Sequence, residues 1–222
     1  GYREHEPLGG YDPYSNSKAC SELVISSYRD SFFNPKNYEY HKVGIASVRA
    51  GNVIGGGDWA KDRLIPECVE AYLNRTTISL RNPEAIRPWQ HVLEPLGGYL
   101  LLAQKLYMNG TAFSGAWNFG PDEIDCKSVQ WVVKNLCKKF GDSFSYNFNE
   151  SDQPHEAHYL KLDCSKAKVL LGWKPRWDLN IALEKVVEWA KAFEAQKNLR
   201  HLCLKQINEY NSTLLEETRS EE

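Results

Sequence analysis

Two periodicities of hydrophobic residues divide this chain into predicted helices and strands. Segments with apolar residues at helical spacing alternate with short runs rich in β-branched and aromatic residues, which are typical of buried strands. Glycine, proline and asparagine mark the turns between them. The helical pattern covers about residues 13–32, 64–75, 93–108, 128–140, 165–172 and 180–196, and the strand pattern covers about 43–51, 77–80, 87–92, 116–120, 144–149 and 158–163.

The first predicted helix has a defined start at Asp12 and Pro13. A carboxylate before a helix accepts hydrogen bonds from free backbone N–H groups, and proline suits the first helical position because its missing N–H is not needed there. Gly172 is placed to close the short helix before it. The last dozen residues, 211–222, are expected to be frayed or disordered.

The order of the elements predicts an α/β fold. Strands alternate with long helices in the first part of the chain, which favours a parallel sheet, and the smaller elements that follow indicate a second lobe. With 222 residues, of which 42% are hydrophobic, the chain can bury one sizeable core, or one core and a smaller lobe.

The composition argues against several kinds of partner. The 27 basic and 29 acidic residues are spread evenly, so no basic stripe indicates nucleic acid. The longest strongly apolar run, YLLLA at 99–103, is far shorter than the roughly 20 residues of a membrane span. Six cysteines without a C-x-x-C pair are typical of a reduced protein. We therefore expect a cytoplasmic protein that binds neither nucleic acid nor membranes.

Tyr14 and Lys18 are the first candidate for chemistry. Four residues apart on a helix, they share one face, and an ammonium group beside a phenol stabilises the phenolate that could take a proton from a sugar hydroxyl. Tyr38 and Lys42 have the same spacing, but they follow a turn and lead into a strand. The helical context therefore favours Tyr14 and Lys18 over the second pair.

A second candidate site combines Asn52, Arg63 and Arg87. Asn52 is expected to lie at the end of a buried strand, where open α/β sheets bind ligands, and glycines 55–57 follow it in either a ligand-binding or a merely tight loop. Arg63 precedes a helix whose free N–H groups favour an anion. Arg87 begins a strand, and its guanidinium could grip phosphate oxygens. Together these residues predict a diphosphate clamp.

The stretch DQPHEAHYLKLD contains His155, Glu156 and His158. This spacing lacks the i, i+4 histidines of a metalloprotease helix and a clear third ligand, so we predict no metal site. A polar contact from His155 or Glu156 to substrate is the functional alternative to a solvated turn.

In this order the features resemble the extended short-chain dehydrogenase/reductase superfamily, which carries Tyr-x-x-x-Lys on a helix, a strand leading to an Asn and a glycine-rich loop, and then an Arg on a strand. More narrowly, EPLGGYDPYSNSKACSEL, RAGNVIGGGDWAKDRLIPE and RPWQHVLEPLGGYLLLA resemble the CDP-glucose 4,6-dehydratase family. The resemblance extends from Gly1 to about residue 195.

The resemblance implies NAD as the cofactor and CDP-glucose, or another nucleotide sugar, as the substrate. In the family the tyrosine, here Tyr14, is the base for the 4-hydroxyl group, and the lysine, here Lys18, binds the nicotinamide ribose. At matching positions Asn52 would contact the sugar-phosphate part, Arg63 the nucleotide part and Arg87 the diphosphate, while Leu80 and Arg81 would lie near the base. The product, CDP-4-keto-6-deoxyglucose, would feed dideoxysugars of bacterial surface polysaccharide.

The resemblance also implies an architecture. Residues 1–58 and 86–119 would form the C-terminal part of an incomplete Rossmann-like parallel sheet that binds NAD. Residues 59–85 and 120–196 would form a smaller α/β nucleotide-sugar-binding lobe, followed by a helical or disordered tail at 197–222. A homodimer or homotetramer is expected, with the helix that bears Tyr14 and the 93–108 helix at the interface.

Two alternative functions remain open from the sequence. No G-x-G-x-x-G fingerprint occurs, and the turn-rich start at Gly1 is expected to be the later part of a longer chain. The residues that separate dehydration from epimerisation are not among those matched. A nucleotide-sugar 4-epimerase and a non-catalytic nucleotide-sugar-binding protein are therefore the alternatives.

Overall fold

The computed structural model describes residues 1–141, 143–148 and 160–220. The helices are α1 Pro13–Phe32, α2 Tyr38–His41, α3 Leu64–Asn74, α4 Leu93–Asn109, α5 Val129–Lys139, α6 Leu179–Glu194 and α7 Leu199–Ser220, and a π-helical turn spans Ala167–Leu171. The strands are β1 Ala46–Ala50, β2 Asn52–Ile54, β3 Thr77–Leu80, β4 Ile86–His91, β5 Gly115–Phe119, β6 Cys126–Ser128 and β7 Ser145–Phe148.

Contacts divide the chain into two compact units. The first contains Gly1–Ala50, Pro95–Phe119 and Leu162–Lys174, and the second contains Gly51–Glu94, Gly120–Lys161 and Pro175–Glu222. The domain boundaries inferred from the sequence stay a prediction.

In the first unit, β1 and β5 pair in parallel, with Ala46 opposite Gly115 and Ala50 opposite Phe119. Helix α4 crosses this pair closely, since a Cβ built on Gly98 would lie 2.3 Å from the Phe119 ring. The core of this unit consists mainly of Leu102, Trp117, Phe119, Leu171 and Trp173.

In the second unit, β4 is the central strand of three. It pairs in parallel with β2 and antiparallel with β6, while β3 and β7 form a separate parallel pair. The apolar faces of α3, α5 and α6 form the larger core, which includes Tyr72, Leu136, Leu183 and Val186. The α/β fold with parallel strands and a second lobe is thus confirmed.

The predicted ends of two helices are confirmed by their hydrogen bonds. The Asp12 carboxylate accepts from the Ser15 N–H at 3.0 Å, and Pro13 occupies the first helical position of α1. Gly172 adopts a left-handed conformation with φ of 67° and caps the Ala167–Leu171 turn, where glycine avoids the strain of a side chain.

Three local predictions differ from the structure. Residues 211–220, expected to be frayed, continue the helix α7. Tyr38–His41 forms one helical turn, because Asn34 caps the turn before it and Lys42 ends it in a left-handed conformation. Asn52 begins β2 and does not end the preceding strand. The chain bends at Gly51, where a Cβ would lie 2.6 Å from the Pro88 carbonyl oxygen.

None of the helices in the described ranges combines the length and apolar character of a membrane span.

Candidate functional site

Helix α1 places Tyr14 and Lys18 one turn apart. The Lys18 Nζ lies 5.5 Å from the centre of the Tyr14 ring, and Tyr14 is 70% exposed. Among the residues that the structure describes, Lys18 has no carboxylate partner. A phenol and an unpaired ammonium group are therefore presented together at the start of a well-capped helix of 20 residues.

The second tyrosine–lysine pair has the same geometry in a different environment. The Lys42 Nζ lies 5.3 Å from the centre of the Tyr38 ring, and it also forms an ion pair with Glu39. The four-residue helix α2 holds this pair. Glu39 therefore partly neutralises the charge of Lys42, whereas among the described residues no carboxylate does so at Lys18.

Neighbouring strands of the second unit carry Asn52 and Arg87. Asn52 lies opposite Trp89 in the parallel β2–β4 pair, two residues along β4 from Arg87. Arg87 is 7% exposed, and its Nη1 donates to the Ile86 carbonyl at 2.9 Å. The strand register thus places Asn52 and Arg87 on neighbouring strands, and their joint role as a diphosphate clamp stays a prediction.

Arg63 and Arg81 lie in a separate group of charged side chains. Arg63 is the N-cap residue of α3, without a capping bond from its side chain, and its Nη1 lies 3.9 Å from the Asp58 carboxylate. Arg81 directly follows β3, and its Nη2 lies 3.4 Å from Asp62 and 3.3 Å from Glu67. The Asp62–Arg81 pair therefore connects the loop before α3 to the end of β3.

The two remaining residues that the sequence predicted to contact a ligand are Leu80 and His155. The Leu80 side chain is only 2% exposed and packs in the core of the second unit. A ligand beside Leu80 would therefore meet its backbone. His155 lies outside the described residues, and its proposed contact with substrate stays a prediction.

The glycine-rich loop is shaped by an aromatic side chain. A Cβ on Gly56 would lie 2.0 Å from the Trp189 ring, and Gly57 has a φ of +82° that favours glycine. Trp59, in the same loop, packs against Phe193 at 5.1 Å between ring centres. The close approach that these glycines permit is thus to the α6 aromatic residues, which supports the tight-loop alternative for 55–57.

A buried polar cluster was not predicted from the sequence. The fully buried Glu94 carboxylate accepts from the backbone N–H of Trp177 at 2.8 Å, from that of Arg176 at 3.1 Å and from the Tyr210 hydroxyl at 3.0 Å. Burial raises the pKa of Glu94, although these hydrogen bonds act against the shift. The cluster attaches helix α7 to the start of α4.

His91 lies beside this cluster. It is 2% exposed, its ring centre is 5.0 Å from that of Trp177, and its Nδ1 accepts from the Leu93 N–H at 3.3 Å. Burial, with a smaller effect from Lys185, lowers the pKa of His91 to about 4. His91 is therefore a neutral, structural histidine at neutral pH.

The sequence analysis also did not predict a role for the carboxylates of Asp62 and Glu67. Glu67 follows Arg63 by four residues, a spacing that places both on one helical face and is the only local signal for it. Its partner Arg81 is 14 residues away, so only the fold reveals the pair. In the described part of the chain, no cluster of three or more His, Cys, Asp or Glu side chains could hold a metal ion.

Comparison with known proteins identifies the family of this chain. Residues 1–186 match the family model described as GDP-mannose 4,6 dehydratase. The chain is 56% identical, over 212 residues, to the CDP-glucose 4,6-dehydratase of Salmonella typhimurium, and the match covers 96% of this chain and 59% of that protein. The chain thus spans about three fifths of the length of this relative.

Solved structures show the same fold at lower identity. The dTDP-glucose 4,6-dehydratase of Bacillus anthracis, in complex with NAD, matches with a TM-score of 0.67 and 20% identity over 90% of this chain and 58% of its own. The UDP-glucose 4-epimerase of Thermotoga maritima, with UDP-glucose, matches with a TM-score of 0.69 and 19% identity over 86% and 57% of the two chains.

The fold is therefore the Rossmann-like α/β fold that nucleotide-sugar dehydratases and epimerases share. The chain belongs to the GDP-mannose 4,6 dehydratase family.

Proposed function

We propose that the protein is an NAD-dependent CDP-glucose 4,6-dehydratase, which converts CDP-glucose into CDP-4-keto-6-deoxyglucose and water. The observation that carries this proposal is the 56% identity to the Salmonella typhimurium enzyme over 96% of the chain. We further propose that the protein acts in the cytoplasm and that its product serves dideoxysugar synthesis for bacterial surface polysaccharide.

Tyr14 is the proposed base. Its phenol is 70% exposed near the start of α1, so a sugar hydroxyl can reach it. The Tyr14 phenolate takes the proton from the 4-hydroxyl group while C4 loses its hydride. The C4–O bond thereby becomes the carbonyl of a ketone. General base catalysis of this kind contributes typically 10²–10⁴-fold to a rate.

Lys18 is proposed to support Tyr14 and to hold the cofactor. Its ammonium group, 5.5 Å from the Tyr14 ring centre, stabilises the phenolate by charge. It has no carboxylate partner among the described residues, and its N–H donors are therefore available to the hydroxyl groups of a nicotinamide ribose. When bound, NAD would accept the hydride from C4 and return it to C6 after water leaves.

Asn52, Arg63 and Arg87 are proposed to bind the substrate's diphosphate and neighbouring groups. Arg87 is buried on the central strand β4, so its side chain is already restricted before a ligand binds. It therefore loses little conformational freedom when its guanidinium binds a phosphate. Asn52 lies on the adjacent strand, within the same part of the sheet. Arg63 stands at the N-terminus of α3, where free N–H groups also attract an anion.

The base of the nucleotide is proposed to lie at Leu80 and Arg81. Leu80 would contribute backbone groups, because its side chain is buried, and Arg81 would contribute its guanidinium. His155 is proposed as a polar contact to the substrate on the strength of the sequence.

We also propose that the protein forms a homodimer or homotetramer through helices α1 and α4. Ala19 is the one buried residue of α1, and Leu23, Val24, Tyr28 and Phe32 are each more than half exposed. On α4, Leu96, Leu100 and Tyr107 recur at intervals of four and seven and form an exposed stripe. Apolar stripes of this kind favour association.

The test is to incubate the full-length protein with CDP-glucose and NAD and to identify the product. A dehydratase forms a 4-keto-6-deoxy sugar, detected by its ultraviolet absorbance in alkali and by a loss of mass equal to one water. A 4-epimerase forms CDP-galactose at unchanged mass, and a non-catalytic protein forms neither product. Either of these last two results contradicts the proposal.

A further inference from the structure

The end of strand β3 is built to meet a ligand. Strands β3 and β7 run in parallel, with Leu80 opposite Phe148 at their carboxyl ends, and Arg81 follows immediately. Ligands of open α/β sheets bind outside the carboxyl ends of parallel strands. Phe148 is 49% exposed at this edge, although it is a large aromatic residue at a core-facing position of the sheet. Phe148 is paired with Leu80, the residue before Arg81, so an exposed aromatic ring and an arginine lie at the same strand ends, where they could meet a planar, polar ring.

Arg81 is held there by two carboxylates of unequal rigidity. Glu67 lies in the first turn of helix α3, and its side chain is 35% exposed, whereas Asp62 lies in the preceding loop with 81% exposure. Asp62 also has a φ of +59°, which is uncommon for a residue with a side chain. Of the two, Glu67 is therefore the more fixed acceptor.

A guanidinium and a carboxylate side by side present donors next to acceptors. Cytosine carries the complementary pattern on its polar edge, because its ring N3 and O2 accept while its 4-amino group donates. Uracil and thymine carry an oxygen at position 4, which accepts. That oxygen would face the carboxylate with no proton between them. Carboxylates accept from the cytosine amino group in nucleic-acid recognition for the same reason.

We propose that Arg81 and Glu67 read the base together and that Glu67 sets the preference for cytidine over uridine and thymidine diphosphosugars. This inference rests on the proposed function, because it assumes that a nucleotide sugar is the substrate. Arg81 donates to N3 or O2 of the base, and Glu67 accepts from the 4-amino group. Asp62 balances the charge of Arg81 and does not touch the base.

The experiment compares Glu67→Gln with Asp62→Asn in the full-length protein. Each change removes one negative charge that faces Arg81, so general electrostatic effects are matched. We expect Glu67→Gln to lower the ratio of kcat/KM for CDP-glucose to kcat/KM for UDP-glucose by at least about tenfold, the scale of one hydrogen-bonded base contact. For Asp62→Asn we expect the ratio to stay within about twofold of the wild-type value. An unchanged ratio in Glu67→Gln, or an equal fall in both variants, overturns the proposal.

Two further measurements keep the test decisive. If Glu67→Gln is too unstable to assay, Glu67→Asp keeps the charge but shortens the side chain, and the ratio should fall in this variant too. Calorimetric affinities for CDP and UDP test the same base preference without turnover, and the ratio of these affinities should also fall in Glu67→Gln. A wild-type protein that forms no product from CDP-glucose contradicts the proposed function, whereas an active enzyme with an unchanged ratio contradicts only the role of Glu67.

Discussion

The Lys18 Nζ lies 5.5 Å from the centre of the Tyr14 ring, and the same arrangement recurs at Lys42 and Tyr38 with 5.3 Å. Spacing and geometry therefore do not distinguish the two pairs. They differ in charge, because Lys42 is paired with Glu39, and in the elements that carry them, a helix of 20 residues and one of four. We assign the chemistry to Tyr14 and Lys18, because the long helix carries both and because Lys18 has no carboxylate partner among the described residues.

Replacement of Tyr14 by phenylalanine should remove the base and leave the fold intact. We expect kcat with CDP-glucose to fall by at least about 10²-fold, because a positioned base contributes that much or more, while the affinity for CDP changes little. Tyr38→Phe is the matched control and should keep wild-type kcat, since its pair has the same geometry and no assigned role. Equal losses in the two variants would remove Tyr14 from the mechanism.

His91 should make the protein less stable in mild acid. Its folded-state pKa of about 4 lies below the ordinary value of 6.5, so the unfolded chain binds a proton first as the pH falls. The stability that neutral His91 contributes is therefore complete above about pH 6.5 and is lost as the pH falls toward 4. Between pH 7 and pH 5 this loss amounts to about 2 kcal/mol in the free energy of unfolding.

The His91→Gln variant isolates this effect. Glu94 has a raised pKa and contributes in the opposite direction, so the relevant quantity is the difference between wild type and variant at each pH. Denaturant unfolding at several pH values should show a wild-type advantage that shrinks as the pH falls from 7 to 5. A difference that is independent of pH would show that His91 does not titrate in this range.

Tyr210 should contribute to the attachment of helix α7. Tyr210→Phe removes the hydroxyl that donates to Glu94 at 3.0 Å and leaves a buried carboxylate with fewer donors. We expect the free energy of unfolding to fall by about 1.5 kcal/mol, the usual scale for a hydrogen bond to a charged group. Tyr40→Phe is the control, because Tyr40 is 94% exposed and lies outside α1 and α4, and it should change stability by less than about 0.5 kcal/mol. Similar values for both variants would contradict the role of Tyr210.

The exposed stripe of α4 should be an association surface. Leu100 is 73% exposed within it, and Leu100→Glu would place a charge among apolar side chains on association. In size-exclusion chromatography with light scattering, this variant should have a smaller molar mass than the wild type at equal concentration. Val169→Glu is the control, since Val169 is 79% exposed outside α4, and its mass should be unchanged. A wild-type monomer would contradict the proposal directly.

Local chemistry made much of the fold predictable from the sequence. The Asp12 cap, the proline at position 13 and the left-handed Gly172 act within a few residues, and the structure has each of them as expected. The position of Asn52 at the end of a strand was mispredicted, because the chain bends at Gly51, which lies close to Pro88, a residue distant in sequence. Contacts across the fold decide such details, and sequence spacing does not contain them.

The candidate site also contains residues that local sequence spacing predicts and residues that only long-range packing brings together. Tyr14 and Lys18 were predictable because a single helix holds both. The carboxylates around Arg81 and the Trp189 ring beneath Gly56 were not, since their partners meet only when distant segments pack. Helix geometry could place Glu67 near Arg63, but only the fold connects Glu67 to Arg81.

The most direct test of the account follows the hydrogen on C4 of the sugar. The full-length protein is incubated with NAD and CDP-glucose that carries deuterium at C4, and the product is analysed by NMR. Our proposal predicts CDP-4-keto-6-deoxyglucose with the deuterium at C6, because the hydride taken from C4 returns there after water leaves. Deuterium that stays at C4, in substrate or in a CDP-galactose product, would contradict it.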